Sequence, residues 1–175
     1  QGRGKRIAEL ATVLAHELDL TAFETQQVGY AALLTEACKV VLTDRLTSKP
    51  LQEMNEQERM VYEKYPVIAQ SALMPLEHLQ GAAEYLRSVD ENLDGTGFPD
   101  QLKGGAIPMA SRIIRVVRDY IALISGDYEG VELDQAQALA NLRLHAKRST
   151  IPSYLIYWID FCKYGLNRLF LSRFK

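Results

Sequence analysis

The chain has 175 residues, of which 24% are charged and 47% are hydrophobic, and its formal net charge is −2. These values are typical of a globular protein and exclude an intrinsically disordered chain. The near-neutral charge offers no basic face for nucleic acid, so no nucleic-acid partner is predicted. No apolar run approaches the roughly 20 residues of a membrane span and no signal peptide is visible, so no membrane partner is predicted either.

The start of the chain indicates whether it is part of a longer protein, and its cysteines indicate the redox state of its compartment. The sequence begins at Gln1, without an initiator Met and already close to a helical pattern. We therefore expect a piece of a longer protein. Cys38 and Cys162 both lie in apolar stretches with helical spacing, which indicates free thiols in the reducing cytoplasm.

Helical patterns fill the first half of the chain. Apolar residues recur at helical spacing from Arg6 to Leu18. Thr21, with Glu24 three residues later, forms a capping box that predicts a helix to about Leu42. Residues 43–54 are a polar connection, and a second capping box follows at Asn55 and Glu58. The remaining helices of this half are predicted over residues 55–65, 66–73 and 75–88.

A glycine-rich segment from Asn92 to Gly105 then interrupts the helical pattern. Its glycines permit tight turns, and Pro99 forbids a continuing helix. Three more helices are predicted after it, over residues 108–125, 133–147 and 152–174. The last is rich in aromatic residues, which favours core packing, a dimer face or a junction with a neighbouring domain. Because no strand alternation is visible, the predicted class is all-α with about eight helices.

The interrupting segment resembles a family signature. Asp94-Gly95-Thr96-Gly97-Phe98-Pro99, with Leu102-Lys103-Gly104 and Ile107-Pro108, resembles the DGxGYP…LKGxxIP signature of HD-GYP domains. Residues 31–40, AALLTEACKV, resemble the family's AALLHDIGKI. HD-GYP domains belong to the HD superfamily of metal-dependent phosphohydrolases, and members typically hydrolyse cyclic di-GMP in bacteria. The resemblance covers nearly the whole chain and implies one helical HD-superfamily domain over residues 1–175.

The chain departs from the family at the positions where the resemblance implies ligands of two or three iron-like ions. In chain order these former metal-site positions hold Thr35, Glu36, Tyr65, Val89, Asp90 and Arg118. Transition metals favour imidazole nitrogens, and a cluster that activates water needs several ligands in fixed geometry. We therefore expect a degenerate domain with no metal, no cofactor and no enzyme activity.

Arg118 is expected to take over the role of the missing ions. A guanidinium keeps its charge and can bond two carboxylate oxygens, so we expect it to pair with Glu36, Asp90 and Glu91. Lys39 is retained from the family's HDxxK pattern, in which the lysine approaches a nucleotide phosphate. The other interpretation of Lys39 is a simple pair with Glu36.

Two other features of the sequence indicate a metal site only weakly. The three histidines, His16, His78 and His145, lie on separate predicted helices away from the family positions. Asp90-x-Asn92-x-Asp94-Gly95 matches the first half of a calcium-binding EF-hand loop. Position twelve of such a loop is a bidentate glutamate, and this chain has Gln101 there.

The function predicted from the sequence is regulatory. We expect a domain of bacterial cyclic di-GMP signalling that acts through protein–protein interaction. Two alternatives stay open: a sensor that binds cyclic di-GMP without cleaving it, and a phosphodiesterase with an altered metal site. The resemblance implies a GGDEF-type diguanylate cyclase as partner, and an upstream receiver or sensor domain in the same chain, as in response regulators of two-component systems.

The glycine-rich segment has two interpretations. In one, it only shapes the entry to the helix that begins at Pro108. In the other, it binds the partner, with Phe98 as an exposed aromatic anchor and a polar rim that includes Asp100. The predicted interaction residues are Asp94, Gly95, Gly97, Phe98, Pro99 and Lys103.

Overall fold

The computed structural model describes residues 2–47, 49, 51–126, 130–146, 156 and 159. The α-helices are α1 (Arg3–Glu17), α2 (Ala22–Leu34), α3 (Asp44–Thr47), α4 (Glu56–Tyr62), α5 (Tyr65–Leu73), α6 (Gln80–Arg87), α7 (Met109–Ile124) and α8 (Gln135–Ala146). Short 3-10 helices cover Ala37–Val41, Leu51–Glu53, Glu77–Leu79 and Gly104–Ala106. Within this part of the chain the only β-type pairing is an isolated bridge between Asp94 and Lys103. The predicted all-α class is confirmed.

Both predicted capping boxes begin helices. The Thr21 hydroxyl accepts a hydrogen bond from the Glu24 amide at 3.2 Å, and the Glu24 carboxylate accepts one from the Thr21 amide at 2.8 Å. The same exchange joins Asn55 and Glu58, at 2.9 and 3.0 Å. Each box satisfies backbone N–H groups that the first helical turn leaves without partners, so local sequence fixes the starts of α2 and α4.

Three predicted boundaries are wrong, and packing explains the first two. Helix α2 ends at Leu34, not at about Leu42, because the chain turns into the 3-10 helix Ala37–Val41 and contacts α5 there. The predicted connection over residues 43–54 contains α3, since Leu46 finds an apolar environment and is buried. The helix predicted from Pro75 starts instead at Gln80, after the 3-10 helix Glu77–Leu79.

The main core lies where α1, α2, α6, α7 and α8 meet. Helix α7 supplies more of it than any other described element, with these aliphatic residues buried: Ile113, Ile114, Val116, Val117 and Ile121. The predicted carboxy-terminal helix over residues 152–174, including Cys162, lies outside the described residues apart from Ile156 and Ile159, which are both buried in this core. Cys38 is a free thiol. None of the described helices is long and apolar enough to cross a membrane.

A second, smaller apolar cluster connects α5 to the glycine-rich segment. Leu42, Leu46, Tyr65 and Phe98 form it. The Phe98 ring meets the rings of Tyr62 and Tyr65 edge-on, with centroids 5.9 and 6.4 Å away. Edge-to-face pairs of this kind add to the stabilisation that burial already provides.

The exposed anchor predicted at Phe98 is wrong. Only 8% of Phe98 is exposed, because its backbone N–H donates to the Asp90 carbonyl and the chain folds back over α5. The aromatic ring is therefore part of the fold and cannot serve as an exposed anchor.

Replacing Phe98 by alanine should therefore lower the free energy of unfolding by about 3–5 kcal/mol, as for other buried aromatic residues. Urea unfolding followed by circular dichroism measures the change. Phe23→Ala is the matched control, since Phe23 is 63% exposed and its loss should cost little. Equal stabilities of the Phe98→Ala variant and the wild type would contradict the packing role.

Candidate functional site: a buried ion-pair centre beside the glycine-rich loop

Asp90 is the centre of the site. It follows α6 in a turn and is only 5% exposed. One carboxylate oxygen, Oδ1, accepts hydrogen bonds from Arg118 Nη2 at 2.5 Å and from Arg115 Nη1 at 2.9 Å. The other, Oδ2, accepts a short hydrogen bond from the Tyr65 hydroxyl. Residues from α5 and α7 thus converge on one buried carboxylate that follows α6.

Helix geometry explains why the two arginines act together. Arg115 and Arg118 are three residues apart on α7, so their side chains leave the same face of the helix. Asp119 completes the network, with one carboxylate oxygen 2.9 Å from Arg115 Nε and the other 3.7 Å from Arg118 Nε. Two guanidinium groups therefore share two carboxylates.

The electrostatics keep each group in one protonation state. Burial alone would raise the pKa of Asp90, but the charges of Arg118 and Arg115 outweigh it and hold that pKa well below its usual value. Burial would lower the pKa of Arg118, but Asp90 and Tyr65 raise it further above its already high value. Burial and the Asp90 charge raise the pKa of Tyr65. At neutral pH the centre is a carboxylate held by two cations and one neutral phenol.

The structure places the six predicted metal-site positions in different surroundings. Tyr65, Asp90 and Arg118 come together as described. Val89 points away into the main core, where it is 1% exposed. Thr35 is fully buried at the end of α2. Glu36 lies at the edge of the site, 3.9 Å from both Arg3 Nη1 and Lys39 Nζ.

The predicted pairing of Arg118 is confirmed for Asp90 and wrong for the other two carboxylates. Asp90 and Glu91 are sequence neighbours in a non-helical stretch, and their side chains bind different partners. Glu91 accepts hydrogen bonds from the backbone N–H groups of Asp100 and Leu102, at 2.6 and 3.0 Å. Glu36 is held by Arg3 and Lys39 instead.

Sequence reasoning missed Arg115 and Asp119. A usable signal was present, because the spacings Arg115–Arg118 and Arg115–Asp119 are those of neighbours on one helical face. The sequence also led us to interpret Tyr65 only as a residue that replaces a metal ligand. The structure shows that its hydroxyl donates to the same carboxylate that both arginines bind.

The residues of this centre do not fit a transition-metal cluster. Two guanidinium groups bring fixed positive charge to Asp90, and a neutral phenol is a poor ligand. Across the described ranges there is no group of three or more His, Cys, Asp or Glu side chains that could hold an ion. His16 and His78 lie on α1 and on the 3-10 helix Glu77–Leu79, apart from the site.

The glycine-rich loop beside the centre is firmly braced. Arg87 forms a two-pronged salt bridge with Asp100, at 2.7 Å for each contact, and Glu91 holds the same stretch from inside. Arg112 donates to the carbonyl of Gly104 at 2.8 Å and to that of Ile107. These contacts support the structural interpretation of the loop.

Gly97 and Gly95 are required by close approaches. A Cβ at Gly97 would lie 2.3 Å from the Asn92 amide nitrogen and 2.4 Å from Glu91 Cα, which are backbone atoms that cannot move aside. Gly95 has a φ of 82°, and the Lys103 side chain lies across it. The exposed positions of the loop include Asp94, Asp100 and Lys103.

A groove runs between the loop and the helices α4 and α5. Its volume is about 410 Å³. Met60, Val67, Phe98 and Pro99 give it apolar walls, and Arg59, Glu63, Lys64 and Gln101 supply polar edges. Met60, which lies at the side of the groove, is 53% exposed.

The comparisons with known proteins identify the family. Residues 1–151 match the HD domain family. The chain belongs to the HD domain family. It is 31% identical over 123 residues to the cyclic di-GMP phosphodiesterase response regulator RpfG of Xanthomonas campestris, covering 69% of this chain and 32% of that protein. It is 32% identical over 129 residues to a cyclic di-GMP phosphodiesterase of Vibrio cholerae, covering 69% of this chain and 26% of that protein.

Solved structures agree on the fold of this HD domain. An HDG“Y”P protein from Bdellovibrio bacteriovorus superposes with a TM-score of 0.73 at 22% identity, covering 92% of this chain and 51% of that one. A cyclic GMP-AMP specific phosphodiesterase of Vibrio cholerae superposes with a TM-score of 0.69 at 19% identity, covering 97% of this chain and 45% of that one. The HD domain spans about a third or less of the length of the curated relatives named above.

The prediction that the chain is not an enzyme is contradicted by these relatives. The relatives that the chain matches in sequence are named cyclic di-GMP or cGAMP phosphodiesterases. The prediction rested on the changed residues at the ligand positions, whereas the relatives matched in sequence are named as enzymes. The sequence relatives of the chain are therefore phosphodiesterases, and the chain differs from the pattern that the resemblance implies at the ligand positions.

Arg118→Ala should lower the free energy of unfolding by about 3–5 kcal/mol, because it leaves the Asp90 carboxylate buried without its closest cation. Urea unfolding at neutral pH measures this loss. Arg59→Ala is the matched control, since Arg59 forms an equally short pair with Glu63, at 2.6 Å, on the surface. A similar, small effect in both variants would contradict the role of Arg118.

The purified HD domain should contain well under one iron, manganese or zinc ion per chain, because the donor set around Asp90 does not suit these metals. Elemental mass spectrometry after purification without chelators measures the content. Arg118→Asp should not raise it, since the added carboxylate brings no imidazole. One tightly held ion per wild-type chain would contradict this reading of the centre.

Proposed function

We propose that this HD domain is a regulatory module of bacterial cyclic di-GMP signalling that acts through protein–protein interaction. The contact surface is the groove between the glycine-rich loop and the helices α4 and α5. The partner is a GGDEF-type diguanylate cyclase domain, as the resemblance to HD-GYP domains implies. An upstream receiver or sensor domain in the same protein, and a cytoplasmic location, complete the proposal.

The observation that carries the proposal is the combination of a braced loop with an open groove whose lining is both polar and apolar. Glu91 and Arg112 bind the loop backbone and Arg87 binds the Asp100 side chain, so the outer edge of the loop presents one fixed shape. A rigid surface loses little conformational entropy when a partner binds. Met60 stands exposed beside the groove, where an apolar side chain of a partner would remove it from water.

The ion-pair centre supports the groove from behind. Tyr65 donates to Asp90 on one side and contacts Phe98 on the other, and Phe98 lines the groove. The centre thus fixes the groove's wall through side chains that the HD domain itself provides. In this proposal the altered positions maintain a binding surface.

A second candidate function is favoured by the names of the relatives. Those proteins are cyclic di-GMP and cGAMP phosphodiesterases, so hydrolysis of a cyclic dinucleotide must be tested directly. Turnover of cyclic di-GMP by the purified domain, retained through repurification and lost with chelator, would support this candidate. Turnover that does not change with metal or chelator would point to a contaminating enzyme.

Met60→Glu should weaken binding to a GGDEF-type diguanylate cyclase domain by about thirtyfold, which corresponds to the ~2 kcal/mol threshold of an interface hot spot. Calorimetric titration of the two purified domains measures the affinity. Leu144→Glu is the matched control, because Leu144 is 67% exposed on α8, outside the groove, and the charge change is the same. Unchanged melting temperatures must accompany both variants.

The outcomes test the identity of the partner and the position of the contact surface separately. If the wild type binds no GGDEF-type domain, the partner is wrong. If it binds and both variants lose affinity equally, or neither does, the groove is not the contact surface.

A further inference from the structure

Helix α5 and the turn after it present an exposed surface without charge. The twelve residues from Tyr65 to Leu76 include no Asp, Glu, Lys or Arg, although 24% of the whole chain is charged. Half of the twelve are exposed, and we call them the uncharged face: Ile68, Ser71, Ala72, Met74, Pro75 and Leu76. Its three large apolar side chains are each 36–46% exposed. The core of a permanent protein interface is depleted of charge in this way, whereas a transient interface has an ordinary surface composition.

The uncharged face is held in one conformation. Helix α5 packs against α6. In the turn, the Gln80 side chain donates to the Met74 carbonyl at 3.3 Å, and the Leu76 amide donates to the Leu73 carbonyl at 2.9 Å. A surface that is fixed before binding loses little conformational entropy when it is covered.

Charges of opposite sign stand at the two ends of the uncharged face. Lys64 precedes it and Glu77 follows it, and both residues are exposed. Neither forms a salt bridge with another described residue. When two identical faces meet in antiparallel orientation, the first end of one copy lies beside the last end of the other. Lys64 of each copy then faces Glu77 of the second copy, so the surface is complementary to itself.

We propose that the chain forms a two-fold symmetric dimer through the uncharged face, with the two α5 helices antiparallel. Ile68 and Ala72 are four residues apart on α5, so they share one side of the helix and form the centre of the contact. The two Lys64–Glu77 pairs form its polar ends, which matches the usual anatomy of an apolar centre within a polar rim. Neither Ile68 nor Ala72 lines the groove. The dimer is therefore separate from the proposed contact with a diguanylate cyclase domain and does not depend on it.

Sedimentation velocity of the 175-residue chain over a range of concentrations tests the dimer. We expect a dissociation constant in the micromolar range or below, as for specific interfaces of standard size. Ile68→Glu brings two like charges together near the two-fold axis and should raise that constant about tenfold or more. Leu144→Glu is the matched control, since it introduces the same charge at a residue that is 67% exposed on α8, and it should associate as the wild type does. Circular dichroism confirms that each variant keeps its fold.

A charge exchange tests the antiparallel orientation. Lys64→Glu and Glu77→Lys each place like charges at both ends of the contact, so each should weaken association about threefold or more. The variant with both changes restores the two pairs with their signs reversed, and it should associate as the wild type does. Added salt should reduce the difference between the single variants and the wild type, because it screens exposed charges.

Three results would overturn the proposal. The first is a wild type that is still monomeric at about 100 µM, well above a micromolar dissociation constant. The second is an Ile68→Glu variant that associates as strongly as the Leu144→Glu control. The third is a double charge variant that associates no more strongly than the single variants.

Discussion

The buried carboxylate of Asp90 must be neutralised, and much of the surrounding structure follows from this constraint. Taking a carboxylate out of water costs several kcal/mol, and only close, well-oriented charges recover that cost. Arg118 and Arg115 supply them from α7, and Tyr65 adds a neutral donor from α5. The Asp90 carbonyl also accepts from the Phe98 amide. One residue thereby fixes two helices and the loop relative to one another.

The loop depends on the residue next to Asp90. With Asp90 turned towards α7, Glu91 is directed to the other side, where its two oxygens accept backbone N–H groups of the loop. Burial raises the pKa of Glu91, although these hydrogen bonds oppose the shift. Gly97 then passes so close to this stretch that a methyl group would meet backbone atoms. The family signature in the loop therefore has a packing reason here, whatever the partner.

Local signals made part of this predictable from sequence. Both capping boxes predicted helix starts, and the charge of Arg118 predicted its pairing with Asp90. The end of α2 and the burial of Phe98 were not predictable in this way, because each depends on contacts with α5 that are distant in sequence. Arg115 was not predicted because it stands at none of the ligand positions that the resemblance implies. Its helical spacing nevertheless places it beside Arg118.

A centre built from ion pairs responds to different conditions from a centre built on a metal. A metal centre changes charge and shape when its ion dissociates, whereas guanidinium groups are covalently part of the chain and stay charged at every physiological pH. The wall of the groove, which Tyr65 and Phe98 connect to Asp90, is then independent of metal supply.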